Sequence, residues 1–300
     1  MHRVVIVALS VFTLSAVVGC GASREAAWDT TAATPKATGS EGDREALLSA
    51  AAAAWEARSD EAQLKTAIAK LEQASSMAPE DVDTLVQLAR AYYFLGDGHM
   101  SFDENRLDEM ITTFEKGTQA AERALIAGSP EFAKKMRAGT RIEEAVAILG
   151  KDSVPALYWR SANMGKWGLA KGFATILSYK DEIRAVMARC LELDPTYNYA
   201  GPHRYFGAYY AKLPAFAGGD LEKSSHHFKE ALRIAPTNLA TRTLYAELNA
   251  VKAQDRKLFD EQIKAILEAD LDADPAIRPE NAVEQRRAKA LQAEADDLFE

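Results

Sequence analysis

Residues 224–238 read SSHHFKEALRIAPTN, and the spacing inside this stretch decides the fold. A small residue, Ser224, is followed four places on by the large apolar Phe228, three further by Ala231 and five further by Pro236. On a helix the first three share one face. Small side chains let that face approach neighbouring helices, the large one fills the gap between them, and the proline opens the next helix, where its missing N–H costs nothing. Ala67, Leu71, Ala74 and Pro79 keep the same spacing in full. Ile183, Met187, Cys190 and Pro195 keep the large residue, the proline and a small residue at the Ala position, which makes Cys190 a buried packing residue. Gly117, Ala121 and Ala124, with Pro130 one place late, are a looser fourth copy.

This is the pattern of the second helix in a tetratricopeptide hairpin. First-helix positions are more degenerate: Leu85, Leu88, Ala89 and Tyr92 fit, and Phe206, Gly207 and Tyr210 keep three of four. The fold class expected is therefore all-α, an irregular tetratricopeptide-like helical-hairpin solenoid compacted into one domain over residues 43–300, with inserts at 96–106 and 128–153. Helices are expected near 44–58, 61–77, 81–95, 106–127, 131–137, 141–149, 154–173, 179–193, 201–213, 220–234, 238–252, 256–269 and 280–298. The last, with Glu284, Arg286, Arg287, Lys289 and Glu294 on its polar side, reads as a C-terminal cap.

Composition agrees with helix and narrows the function classes. The 300 residues carry 36 Lys+Arg against 44 Asp+Glu, a net charge of −8, with 48% hydrophobic residues and only 17 Gly and 10 Pro. An acidic chain with no basic tract is a poor partner for nucleic acid. Two cysteines, Cys20 and Cys190, build neither a disulfide framework nor a thiol metal site.

The N-terminus reads as an address. Met1-His2-Arg3 is a short cationic start, Val4–Val18 is uncharged and too short to span a bilayer comfortably, and Val17-Val18-Gly19-Cys20 looks like a bacterial lipobox. Residues 1–19 are then a lipoprotein signal peptide and Cys20 the lipidation site. Residues 20–42, rich in Ala, Thr, Ser and Gly, read as a flexible tether with a reach of roughly 25 Å, in which Trp28 is incidental.

No catalytic constellation stands out. His226 and His227 are adjacent and diverge on a helix, while His99 and His203 have no ligand spacing around them. Asp97, His99, Asp103 and Glu104 sit in an insert that reads more simply as a helix stop and turn at Leu95-Gly96-Asp97-Gly98. Gly218-Gly219-Asp220 reads as a loop and N-cap. Neither a cofactor nor a metal is expected.

The aromatic residues are more informative, because 12 of the 25 fall between residues 155 and 216. In the repeat register the inward helix faces offer Trp159, Asn163, Lys166 and Trp167, then Arg204, Ala208, Ala211 and Lys212 with the neighbouring Tyr209, and earlier Val86, Arg90, Tyr93 and Phe94. Indole and phenol rings beside a few cations suit an amphiphilic guest, its apolar body against the rings and its acidic head near Arg204.

Three stretches, ALYWRSANMGKWG (156–168), CLELDPTYNYAGPHRYFGAYYAKLPAFAGGDLEKSSHHFKEAL (190–232) and PENAVEQRRAKALQAEADDLF (279–299), resemble the T component associated with tripartite ATP-independent periplasmic (TRAP) transporters, the TatT-like lipoproteins. The resemblance covers about residues 45–299. It implies a lipid-anchored protein on the periplasmic face of a bacterial membrane, the outer membrane favoured by the Gly21 that follows Cys20. It also implies a partner in the transporter's solute-binding P component, a homo-oligomer such as a trimer, and a largely apolar channel for a hydrophobic ligand. Gly207 and the loop with Pro214, Gly218, Gly219 and Asp220 are the matched positions expected to shape the fold. The function expected is a non-enzymatic accessory protein that holds a hydrophobic or amphiphilic small molecule and docks the P component. The rival is a non-transport tetratricopeptide scaffold lipoprotein that assembles cell-envelope complexes.

Overall fold

A computed structural model describes residues 24–30 and 37–299, so Cys20 and the leader before it lie outside the described residues. All regular secondary structure among the described residues is helical. The chain runs through α1 (Glu41–Glu56), α2 (Glu61–Met77), α3 (Val82–Phe94), α4 (Leu107–Gly128), α5 (Pro130–Arg137), α6 (Ile142–Ala145), α7 (Val154–Lys171) and α8 (Phe173–Leu193). It continues through α9 (Tyr197–Lys212), α10 (Leu221–Ile234), α11 (Leu239–Leu244), α12 (Val251–Ala253), α13 (Arg256–Leu267), α14 (Arg278–Ala293) and α15 (Ala295–Leu298).

Short polar residues start many of these helices. Ser40 forms a reciprocal capping box with Asp43, Asp60, Asp81 and Asp255 accept from backbone N–H groups of α2, α3 and α13, and Ser129 caps α5 just before Pro130 at its first position. Helices close in sequence pack on each other, α1 on α2, α3 on α4, α7 on α8 and α9 on α10, while α4 also lies along α7. The positions picked out by spacing form the contacts: Ala67, Leu71, Ala74, Ser224, Phe228, Ala231, Ile183, Met187 and Cys190 are all buried. Most of the apolar core is continuous from α1 to α9, and a second cluster around Phe259, Ile263 and Ile266 joins α11, α13 and α14.

Several local readings are corrected. Leu95–Gly98 do not stop α3, which runs on into a π-helical turn, Leu95–His99. The widened turn brings Asp97 to Lys166 and Arg287, and it places Gly96 against Phe114 and Gly98 against Phe94, where a Cβ would stand 2.6 and 2.7 Å from the rings. The insert therefore supplies a buried ion cluster rather than a cation site: His99 Nε2 lies 2.9 Å from the Arg58 carbonyl, and Asp103 caps the next turn. A second π-helical turn, Tyr245–Ala250, interrupts the helix expected over 238–252. The terminal helix is less of an outward cap than its charges implied, because Glu284 is buried and Arg287 reaches inward to Asp97.

The tether reading does not describe residues 24–30. Arg24 and Ala27 bond to Glu122, and Trp28 is buried edge-on to Phe132 at 6.0 Å with the Arg160 guanidinium 5.1 Å from its centroid. Trp28 is a core residue, 7% exposed, and its segment belongs to the folded body.

Candidate functional site

The first turn of α9 contains a kink with the most strained backbone among the described residues. Asn198 (φ 48°), Tyr199 (φ 57°) and Ala200 (φ 56°) are successive non-glycine residues in the left-handed region. Each costs about 1–2 kcal/mol relative to a right-handed turn. Arg204, one turn into α9, offsets this. Its guanidinium donates to the Tyr199 carbonyl at 3.0 Å, the Asn198 carbonyl at 3.3 Å and the Tyr158 hydroxyl at 3.2 Å. Gly201 fits beneath because a Cβ there would stand 2.4 Å from the Tyr158 ring.

The turn swings the 197–199 segment over a cavity of about 370 Å³. Trp55, Trp159, Tyr197 and Tyr199 contribute aromatic faces, and Ile277 and Ala276 the apolar remainder. Trp159 is fixed by an Nε1–H bond of 3.1 Å to the Tyr197 hydroxyl and by tilted contacts with Tyr93 at 5.4 Å and Tyr158 at 5.0 Å. Trp55 lies between two guanidinium groups, Arg58 at 4.5 Å and Arg90 at 4.6 Å.

These two arginines share one carboxylate unequally. Glu280 takes two bonds from Arg58, at 3.1 and 2.8 Å, while Arg90 approaches it only to 3.7 Å. Burial pulls the Arg90 pKa below its usual value; attraction to Glu280 opposes this, and repulsion from Arg58 reinforces it. Arg90 therefore lines the cavity as a cation whose ion-pair partner Glu280 is already engaged, with its guanidinium over the Trp55 ring. An acidic headgroup with an apolar body matches that set.

The residues expected to line the site divide. Trp159 lines the cavity, Tyr93 packs behind it, and Phe94 backs Trp55 edge-on at 6.3 Å. Asn163 is fully buried and bonds to the Ala89 and Trp159 carbonyls, so it ties α7 to α3. Trp167 is core, edge-on to Tyr179 of α8 at 5.4 Å. Lys166 is paired with Asp97 at 2.5 Å. Burial alone would raise the Asp97 pKa, but Arg287 and Lys166 outweigh it and hold the carboxyl well below its usual range. Ala208 and Tyr209 are half-buried and outside the cavity lining, Tyr209 stacking on Tyr205 at 6.0 Å. Arg204 holds the strained turn and is not placed to take a headgroup directly.

Gly207 faces Phe228, with 2.6 Å left for a Cβ. In the loop after Pro214, Gly218 has φ 96°, Gly219 leaves only 1.9 Å between a Cβ and the Leu213 carbonyl, and Asp220 caps α10. Sequence reasoning missed Trp55 and the left-handed turn. A lone tryptophan closing the alanine run 50–54, and the polar-aromatic string PTYNYAGP, were the available signals. His203 and His227 also meet, Nδ1 to Nδ1 at 3.0 Å, because α9 and α10 pack together.

A larger hollow of about 520 Å³ lies among α2, α3 and α4, rimmed by Lys65, Glu72, Glu109 and Lys116. Ile68, Ala69, Leu95 and Met100 give it an apolar floor, but Tyr92 is its only aromatic ring and the rim lysines stand beside Glu72, Asp108 and Glu109.

A family model for the TRAP transporter T-component matches residues 61–299. The chain belongs to the TRAP transporter T-component family. This T component is also 24% identical over 192 residues to an uncharacterised protein of Treponema pallidum (strain Nichols), across 61% of its own length and 58% of that protein. The chain thus spans less than two thirds of that relative. The family is one of transport components rather than enzymes, which fits a site built of rings and a cation. No helix among the described residues is long and apolar enough to cross a membrane.

Proposed function

We propose that this T component is a lipoprotein, acylated at Cys20 and held on the periplasmic face of a bacterial membrane, that receives an amphiphilic acid in the Trp55–Trp159 cavity and docks the solute-binding P component of its transporter. The observation that carries the ligand class is Arg90, a cation that lines the cavity beside Glu56 and whose ion-pair partner, Glu280, is held more closely by Arg58. Four aromatic residues around it supply apolar contact area for a chain or ring system. Trp159, Tyr93 and Phe94 form or back this wall, Arg204 positions it through the 198–200 turn, and Asn163 fixes the helix that carries it. A homo-oligomer, such as a trimer, would multiply these sites on one membrane patch.

The docking half of the proposal is tested by mixing the full-length protein with the P component of the same transporter and resolving the mixture by size-exclusion chromatography with light scattering. Co-elution at a defined ratio is the expected result. Two independent peaks at concentrations of about 100 μM, with ligand present, would remove P-component docking and favour the scaffold alternative.

A further inference from the structure

The point where the chain enters its folded body and an exposed apolar helix tip lie at the same end of the molecule. The Arg24 backbone N–H donates to the Tyr179 hydroxyl at 3.3 Å, while its guanidinium is locked on Glu122. Cys20 is four residues before Arg24, a span of at most about 14 Å. Tyr179 in turn is six residues along α8 from Phe173, about 9 Å of helix rise.

At that end α7 and α8 meet through Gly172, and Leu169, Phe173 and Leu177 are 43%, 69% and 39% exposed. They are half of the six large hydrophobic residues that stand out to solvent among the described residues. Lys171 is exposed between Leu169 and Phe173 in a chain whose net charge is −8, while the flanking Lys166 and Lys180 are engaged by Asp97 and Asp181. An exposed Phe and two Leu beside a lysine, against a background of negative charge, is the composition of a lipid-facing surface: the apolar side chains enter the headgroup boundary and Lys171 reaches to phosphates.

We propose that the α7–α8 tip is a membrane-contact site, with Phe173, Leu169 and Leu177 seated in the headgroup–acyl boundary of the leaflet that holds the acyl chains of Cys20. The body then rests on the membrane in a fixed orientation instead of ranging at the end of a tether. The proposal rests on the lipoprotein reading, since the short span from Cys20 is what brings this tip, rather than another surface, to the bilayer.

The test uses full-length acylated protein in vesicles of phosphatidylethanolamine and phosphatidylglycerol that include lipids with an acyl-chain nitroxide. A nitrobenzoxadiazole label is placed at Phe173→Cys or, as a remote control, at the exposed Lys257→Cys on α13. The native Cys190 does not compete, because it is buried and its thiol pKa is pushed far up by desolvation. The expected result is severalfold stronger quenching at 173 than at 257, accompanied by a blue shift. An acylated, vesicle-bound protein with equal quenching at the two positions overturns this proposal alone, including the case where a protein partner covers the tip. An intact mass without acyl groups overturns the lipoprotein reading and this proposal with it.

Discussion

Arg24 and Glu122, 98 residues apart in sequence, form a two-bond ion pair at 2.6 and 3.0 Å, with side chains only 4% and 0% exposed. Glu122 also accepts from Arg160 at 3.0 Å, and Arg160 in turn pairs with Glu182, so two cations and two carboxylates close a neutral cluster beneath Trp28. Charges this buried are tolerated only as a set, and removal of one leaves its partner desolvated and unmatched.

Arg24→Ala is therefore expected to lower the unfolding free energy by about 3 kcal/mol at neutral pH, although it lies outside the helical array. Urea denaturation of this variant beside Glu25→Ala, an exposed neighbour, checks the claim. A midpoint for Arg24→Ala equal to that of Glu25→Ala would mean that the N-terminal segment is not part of the folded unit.

Gly207→Ala adds a single methyl where Phe228 is fully buried and cannot retreat. Overpacking at the α9–α10 contact should cost about 1–3 kcal/mol, despite the gain in helix propensity. Thermal melts followed by far-ultraviolet circular dichroism will show it as a lowered Tm; an unchanged or raised Tm would mean that α9 and α10 lie farther apart.

Arg204→Ala removes the two bonds to carbonyls of the 198–200 turn and a third to the Tyr158 hydroxyl. The expected cost is about 2–4 kcal/mol of stability, and the released strain should let Tyr197 and Tyr199 leave the cavity wall. Hydrogen exchange across 195–203 should accelerate more than in α13, which packs on α11, α14 and the 245–250 turn. Uniform protection across both segments would show that the turn does not depend on Arg204.

The facing imidazoles of His203 and His227 impose a pH dependence. Burial pulls both pKa values down, His227 to about 4 with added repulsion from His203 and His226. The neutral rings are thus favoured in the fold, while the unfolded chain takes up protons near 6.5. Their contribution is fully present above that value and is lost as pH falls through the window from 6.5 to about 4. With solvent screening of this half-buried pair, the loss by pH 5 is about 1 kcal/mol. His227→Gln should flatten the change in urea midpoint between pH 7.5 and 5, and an undiminished slope would assign the dependence to other groups.

The sequence revealed the all-helical class and its buried helix faces but not the site, and the reason is range. Phe228, Ala231 and Ala74 announce themselves because helix contacts repeat at fixed local spacing, so their burial follows from the pattern. Trp28 could not be placed that way: its partners Phe132 and Arg160 are more than a hundred residues downstream. The π-helical turn at Asp97 was hidden for the same cause, since Lys166 and Arg287, which draw it inward, belong to α7 and α14. Arg204 and Trp167 are buried, but only the fold distinguishes a side chain that holds a turn or fills a core from one that meets a guest. The cavity itself joins α1, α3, α7 and the α8–α9 and α13–α14 connections, a combination that no single repeat encodes.

The most direct measurement is native mass spectrometry of the full-length protein released from mild detergent, alone and after addition of a long-chain carboxylate such as decanoate. The expected result is a discrete adduct of amphiphile mass on the wild-type chain, reduced at least tenfold in occupancy-derived affinity by Arg90→Gln and by Trp159→Ala, with each variant still cooperatively folded. A wild-type protein that stays empty with decanoate in excess, or an adduct indifferent to both substitutions, would contradict the assignment of this cavity as the ligand site.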